Sequence, residues 1–190
     1  MRMIPLRSIS RPFVLMAVLL VLALASDGQV PIVPPNLKVP AGNELFFHVF
    51  ARGFQIYRCT RDKADTNHPS ADTNHLSWAF VAPAADLYTD SGYTHPAGRH
   101  YAGPAWESTD GSKVIGAKLQ QADAPDKNAI PWLLLRAASV VGSGIYSKVT
   151  FIQRVNTRGG NAPQTVPDQA HPGQEVQIPY TAEYFFYRAR

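Results

Sequence analysis

The sequence predicts an all-β fold, an antiparallel β-sandwich or barrel of about seven to nine short strands. Three observations carry the prediction. Short runs rich in aromatic and β-branched residues recur along the chain, which is the composition of strands. Glycine, proline and Asp-Gly or Ser-Gly pairs punctuate them closely, as turns require. Beyond the first 25 residues no stretch sustains a helical period.

The elements follow in order. Val30 to Pro40 holds four prolines in eleven residues and reads as an extended lead-in that cannot form a helix. Glu44 to Ala51 and Phe54 to Cys59 read as strands joined by a turn at Arg52-Gly53. Trp78 to Val81 is a short strand, and Asp90-Ser91-Gly92 marks a turn. His100 to Pro104 leads into Ala105 to Ser108, and Asp110-Gly111-Ser112 is a hairpin turn into Lys113 to Gln121.

Ile130 to Ala138 is the most apolar run after the N-terminal region. Periodicity cannot separate a doubly buried strand from a short helix there, but Pro131 before it and Gly142-Ser143-Gly144 after it favour a strand. Lys148 to Asn156 alternates, with Val149, Phe151, Gln153 and Val155 on one face and Thr150, Ile152, Arg154 and Asn156 on the other. The mixed second face suggests a lined surface rather than bulk solvent. Glu175 to Tyr180 and Ala182 to Arg188 close the chain as two runs, and their aromatic content predicts docking in the core.

The N-terminus is different in kind. Arg2, Arg7 and Arg11 precede an unbroken apolar run from Phe13 that ends in Ala23-Leu24-Ala25. A basic start, an apolar centre and a small-x-small site form a secretory signal. The run is too short to span a bilayer, which takes about 20 residues. Residues 1–25 are therefore expected to be removed, followed by a proline-rich lead-in over 26–41 and a single β-domain over 42–190. General secretion to the periplasm or medium, without a membrane anchor, is the expected route. Removing the signal leaves 15 basic residues against 14 acids, so the formal charge falls from +4 to +1. Mixed charge without a basic run argues against nucleic acid as a partner.

Two further features stand out. Residues 64–70 (ADTNHPS) and 71–77 (ADTNHLS) are tandem copies differing at one position. Two copies cannot build a solenoid, and Asp, Thr, Asn, His and Pro form loops, so an exposed, expendable loop is expected. Cys59 is the single cysteine, so an internal disulfide is ruled out; the thiol is either a buried apolar group, a reactive site or an intermolecular bridge.

Candidate chemistry is sparse. His95 and His100, with Glu107 beyond, have nitrogen and carboxylate donors for a metal, yet loop glycine and proline between them enforce no geometry, so no metal site is assigned. No Gly-x-Ser-x-Gly elbow occurs. Ser112 lies in the Asp-Gly-Ser turn, whose residues answer backbone needs. Arg136 and Arg154 lie in apolar strands and require either an internal partner, with Asp86, Glu107 and Asp110 as candidates for Arg154, or an anionic ligand. Trp78, Trp106 and Trp132 fit a core or an apolar pocket. A ligand site is expected around His100, Trp106 and Asp110, with Arg154 as its charged anchor. No pattern specifies a cofactor.

Several strings, taken in order, resemble a known family. They are Gly53-Phe54-Gln55-Ile56-Tyr57-x-Cys59, His100-Tyr101-Ala102-Gly103-Pro104-x-Trp106, Asp110-Gly111-Ser112-Lys113-Val114 and Ile130-Pro131-Trp132-Leu133-Leu134-Leu135, then Phe151 to Pro163 and Pro179-Tyr180-Thr181-Ala182-x-Tyr184. Together, from Val39 to Tyr187, they resemble the secreted bacterial and fungal domain of unknown function three-four-five-five. The resemblance implies an extracytoplasmic domain without an established activity. Some fungal members carry a malate-dehydrogenase label, but this chain has no Gly-x-Gly-x-x-Gly after a strand and no βαβ alternation. The resemblance also implies a second cysteine after the Gly-Gly-x-Ala-Pro motif, where this chain reads Gln164 to Asp168 without one. Three functional readings follow: a domain binding a small molecule, envelope component or partner; an enzyme centred on His100, Trp106 and Asp110, with or without metal; and a structural surface protein.

Overall fold

Eight antiparallel strands pair in chain order, and the last returns to the first to close a barrel. The computed structural model describes residues 30–61, 76–166 and 170–190. The expected signal and the tandem repeat through His75 lie outside the described residues. Leu76 and Ser77, the last two residues of the second copy, open a strand.

The strands are β1 (Asn43–Arg61), β2 (Leu76–Tyr88), β3 (Pro96–Tyr101) and β4 (Ala105–Ser108), then β5 (Lys113–Ala122), β6 (Trp132–Val141), β7 (Val149–Gly159) and β8 (Glu175–Ala189). The all-β expectation holds, and the count falls inside the expected range. The strands are not all short, however. Arg52-Gly53, expected to turn, lies inside a continuous 19-residue β1, and the two closing runs are one 15-residue β8. The glycine at 53 serves packing rather than turning. A Cβ there would strike the Ala84 carbonyl and Ala85 on β2, so only glycine lets the two strands approach so closely.

Eight strands enclose a space just wide enough for side chains to fill, and aromatic residues fill it here. Trp106, Tyr146, Tyr184, Phe186, Leu135 and Ile152 are buried inside with Val49 and Leu87. Trp106 meets Tyr184 edge-on at 5.2 Å, and Tyr146 lies 4.8 Å from Phe186. Tyr146 comes from a 3₁₀ turn at Ile145–Lys148.

A second apolar layer lies outside β6–β8. Trp132, Leu134, Val155, Phe185 and Tyr187 are covered there by Val33, Leu37 and Val39 of the proline-rich lead-in, which makes a 3₁₀ turn at Pro35–Leu37. Gln153 pins it, donating from Nε2 to the Leu37 carbonyl at 2.7 Å and accepting from the Tyr187 hydroxyl at 2.6 Å. β6 and β7 are thus buried on both faces near their crossing. The mixed face of β7 carrying Ile152 and Arg154 therefore looks into the barrel, not onto a surface. Among the described residues no helix is long and apolar enough to cross a membrane.

Candidate functional site

The structure brings three of the four expected site residues together inside the barrel. His100 on β3 and Trp106 on β4 face each other across the hairpin register and stack at 4.4 Å with 13° between ring planes. The His100 Nδ1 lies 2.9 Å from the Ala105 carbonyl. A carbonyl only accepts, so Nδ1 carries the proton and Nε2 is bare. Burial pushes the imidazole pKa down to about 3; the Ala105 carbonyl opposes the shift and the Arg154 charge adds to it.

Arg154 reaches this cluster from β7. Its Nε and Nη2 donate to the Pro131 carbonyl at 3.1 and 2.8 Å. Its charge bears on Tyr57, Tyr180 and Tyr184 as well as His100. Tyr57 donates its hydroxyl to the Gly160 carbonyl at 2.7 Å. The Tyr180 and Tyr184 hydroxyls lie close enough to affect each other's titration, and Gln55 close enough to affect that of Tyr180, yet the Gln55 amide nitrogen and both hydroxyls lack a protein hydrogen bond of good geometry. The expected carboxylate partners of Arg154 lie elsewhere, because Asp86 and Glu107 are on the outer face.

Asp110 lies outside this cluster. In the β4–β5 turn its carboxylate accepts from the Ser112 hydroxyl at 2.6 Å and from the Ser112 and Ile145 N–H groups at 2.8 Å each. The Ser112 hydroxyl, then those two N–H groups, hold its pKa at about 2. Ser112 in turn accepts from Tyr146 N–H at 3.1 Å, so this network seats the 3₁₀ turn that delivers Tyr146 to the core. His95 does not join His100; it sits exposed in the β2–β3 turn beside Asp90 at 3.1 Å. Trp78 donates to the Thr165 carbonyl at 3.2 Å, and Trp132 packs under the lead-in. Arg136 is exposed on β6. Cys59 is a buried free thiol, flanked by backbone bonds to Gly173 and Gln174.

A large concavity lies on the outside of the barrel. A groove of about 1400 Å³ runs across the outer face of β8, β1, β2, β3 and β4, with His100 and Tyr180 at its floor. The strands are packed closely beneath it: a Cβ at Gly98 would collide with the Glu107 carbonyl, as one at Gly53 would with Ala84. Phe54, Pro179, Ala84 and Tyr101 line one side, and Tyr88 lies on the other. Between them runs a row of side chains in direct cross-strand register. Arg158 pairs with Thr181, Thr181 with Arg52, Arg52 with Asp86, Asp86 with Arg99, Arg99 with Glu107, and Glu107 with Lys113.

Sequence reasoning missed Arg52, Arg99 and Arg158 in this row. Arg52 lay in an expected turn, and the other two are exposed arginines that only the register brings into line. Gly53 beside a strand-like run was the available signal, since an interior strand glycine marks close backbone approach.

A closed eight-stranded barrel with a packed interior and an external groove is thus the class of protein the geometry defines. The chain belongs to the family described as "Protein of unknown function (DUF3455)", whose profile matches residues 40–188. No curated protein and no solved structure matches the chain.

Proposed function

We propose that this chain is an exported, non-enzymatic binding domain that holds a small molecule or cell-envelope component in the outer groove. The groove carries the reading. Ligand sites are concave, largely apolar and furnished with a few convergent polar groups, at volumes of roughly 300–1,000 Å³. This one, at about 1400 Å³, has room for a ligand of that class, with aromatic flanks and a charged row between them. His100 contributes as floor rather than as a reactive group, and Trp106 and Arg154 support that floor from inside. Export rests on the N-terminal signal features.

The enzymatic alternative has weaker support. A general base works best with a pKa near the operating pH, whereas burial holds His100 at about 3. The Asp110 carboxylate accepts three hydrogen bonds from Ser112 and Ile145, and these hold its pKa at about 2, far below that of a general base suited to neutral pH.

An NMR titration against a panel of envelope sugars, amino sugars and small organic acids tests the binding reading. Shifts confined to Phe54, Ala84, Tyr88, Tyr101 and Thr181 are expected. A ligand that instead shifts only residues outside the groove would refute it. Intact mass of the exported protein tests the other half: the chain should begin at Ser26, and retention of residues 13–25 would contradict the export signal.

A further inference from the structure

The charged row is not uniform, and its break marks a subsite. From β2 to β5 the signs alternate, as Asp86, Arg99, Glu107 and Lys113, and cancel. From β7 to β1 they do not: Arg158 and Arg52 flank Thr181, and no acid stands between them. Where the alternation calls for a carboxylate, the protein places a hydroxyl. Arg52 faces Asp86 across the β1–β2 register, yet among the described residues no side chain of the row, these two arginines included, closes an ion pair. Glu183, one row away on the same face, is engaged by the His48 imidazole at 2.9 Å and the Asn156 amide at 3.0 Å. Asp126 lies in a smaller neighbouring pocket of about 500 Å³ that shares Arg158 and Thr181.

Both arginines are set in place by unusual backbone. Tyr93 and Asn156 are the two non-glycine residues with positive φ among those described, at 58° and 50°. The left-handed region is costly for a tyrosine, and such strain gathers at functional sites. Tyr93 uses it to bring its ring to 4.5 Å from the Arg52 guanidinium, with Tyr88 at 5.8 Å. A guanidinium lying on a ring keeps its in-plane N–H donors free. Asn156 sits in a bulge of β7, where the register passes from Val155–Glu183 to Arg158–Thr181 with one extra residue on β7. That extra residue reverses the side-chain alternation, sending Thr157 inward to the Ile130 carbonyl at 2.6 Å and Arg158 outward beside Thr181. Bulges serve to re-aim a side chain in this way.

We infer that Arg52, Thr181 and Arg158 form an oxyanion clamp, which holds the carboxylate or phosphate of a small ligand whose ring body lies on Phe54, Pro179 and Ala84. The inference rests on the binding reading of the groove and adds the charge of the ligand and its orientation. Two forked guanidinium groups and a hydroxyl match the acceptor-only oxygens of such a group.

NMR titration with phenyl phosphate, benzoate and benzyl alcohol tests it. Both anions should shift the Nε–H signals of Arg52 and Arg158 together with Thr181, and the relative shifts of the two tell which oxyanion fits better. Arg52→Gln or Arg158→Gln should weaken anion binding about tenfold, the loss expected for a charge-assisted contact. Arg136→Gln removes the same charge on β6, away from the groove, and should leave binding unchanged. All three arginines are exposed, so matched thermal melts will show that the variants fold. If benzyl alcohol shifts the groove aromatics as strongly as the anions do, and neither clamp variant weakens anion binding, the clamp is refuted while the groove reading stands. An equal loss in Arg136→Gln would reduce the effect to net charge and also refute the clamp. If no probe shifts any groove residue, both readings fall.

Discussion

Replacing His100 by Gln removes a group whose protonation opposes folding, and the consequence is measurable as a pH dependence. The imidazole is 3 % exposed, stacked on Trp106 and fixed by Ala105. Burial lowers its pKa in the folded protein to about 3, against 6.5 in the unfolded chain. A group with a depressed cationic pKa binds more protons when unfolded, so stability falls as pH drops through 6.5 and goes on falling toward 3. Integrating that linkage from pH 7 to pH 5 gives a loss of about 2 kcal/mol, a figure that holds for any folded-state pKa below about 4. Urea melts of the parent and His100→Gln at both pH values give the quantity as a double difference, in which the other titrating groups cancel. The parent should lose about 2 kcal/mol more than the variant over this interval. Equal losses would mean that His100 protonates freely in the folded protein, which would refute its placement as a neutral core residue under the groove.

Other expectations follow from the same geometry. Asp110→Ala should lower the melting temperature, because Ser112 and the Ile145 N–H lose their shared acceptor, while groove binding stays unchanged; a binding loss at unchanged stability would instead make Asp110 a ligand contact. Cys59 should resist thiol reagents in the folded protein and react once per chain after denaturation, whereas prompt reaction in the native state would contradict its burial. Deleting residues 64–70 should leave the thermal melt nearly unchanged, since the length of chain linking β1 to β2 contributes only about 0.6 kcal/mol per doubling. Deleting residues 71–77 should cost more, because it sets Pro69-Ser70 where Leu76 and Ser77 pair with Arg61 and Thr60; coincident melts for the two deletions would show that this end of the hairpin adds nothing.

The all-β class was legible because alternation and punctuation are local, whereas closure into a barrel rather than a sandwich rests on the pairing of β8 with β1. The Asp110-Gly111-Ser112 turn, the Asp90-Ser91-Gly92 turn and the doubly buried run at Trp132 are all written in a few neighbouring residues. What the sequence concealed was non-local. Gly53 reads as a turn by itself and as a packing contact only against Ala84. Arg154 looks like a surface anchor until the closed barrel turns its face inward, where a backbone carbonyl at Pro131, invisible to residue patterns, serves as its acceptor. His100 and Trp106 were grouped by their closeness in the sequence, and the β3–β4 register does stack them. Arg52, Thr181 and Arg158 come from three strands spread over 130 residues of chain, and a one-residue bulge decides which way Arg158 faces. No single-sequence pattern encodes that bulge.

The groove itself is most directly tested by filling it. Ala84 is exposed on its wall, between Phe54 and Tyr101, so Ala84→Trp would occupy the groove without entering the barrel core. Binding of phenyl phosphate, or of the best sugar or acid from the envelope panel, should be lost in the variant while its melting temperature matches the parent. Undiminished binding by a folded Ala84→Trp protein would place the ligand elsewhere and contradict the account.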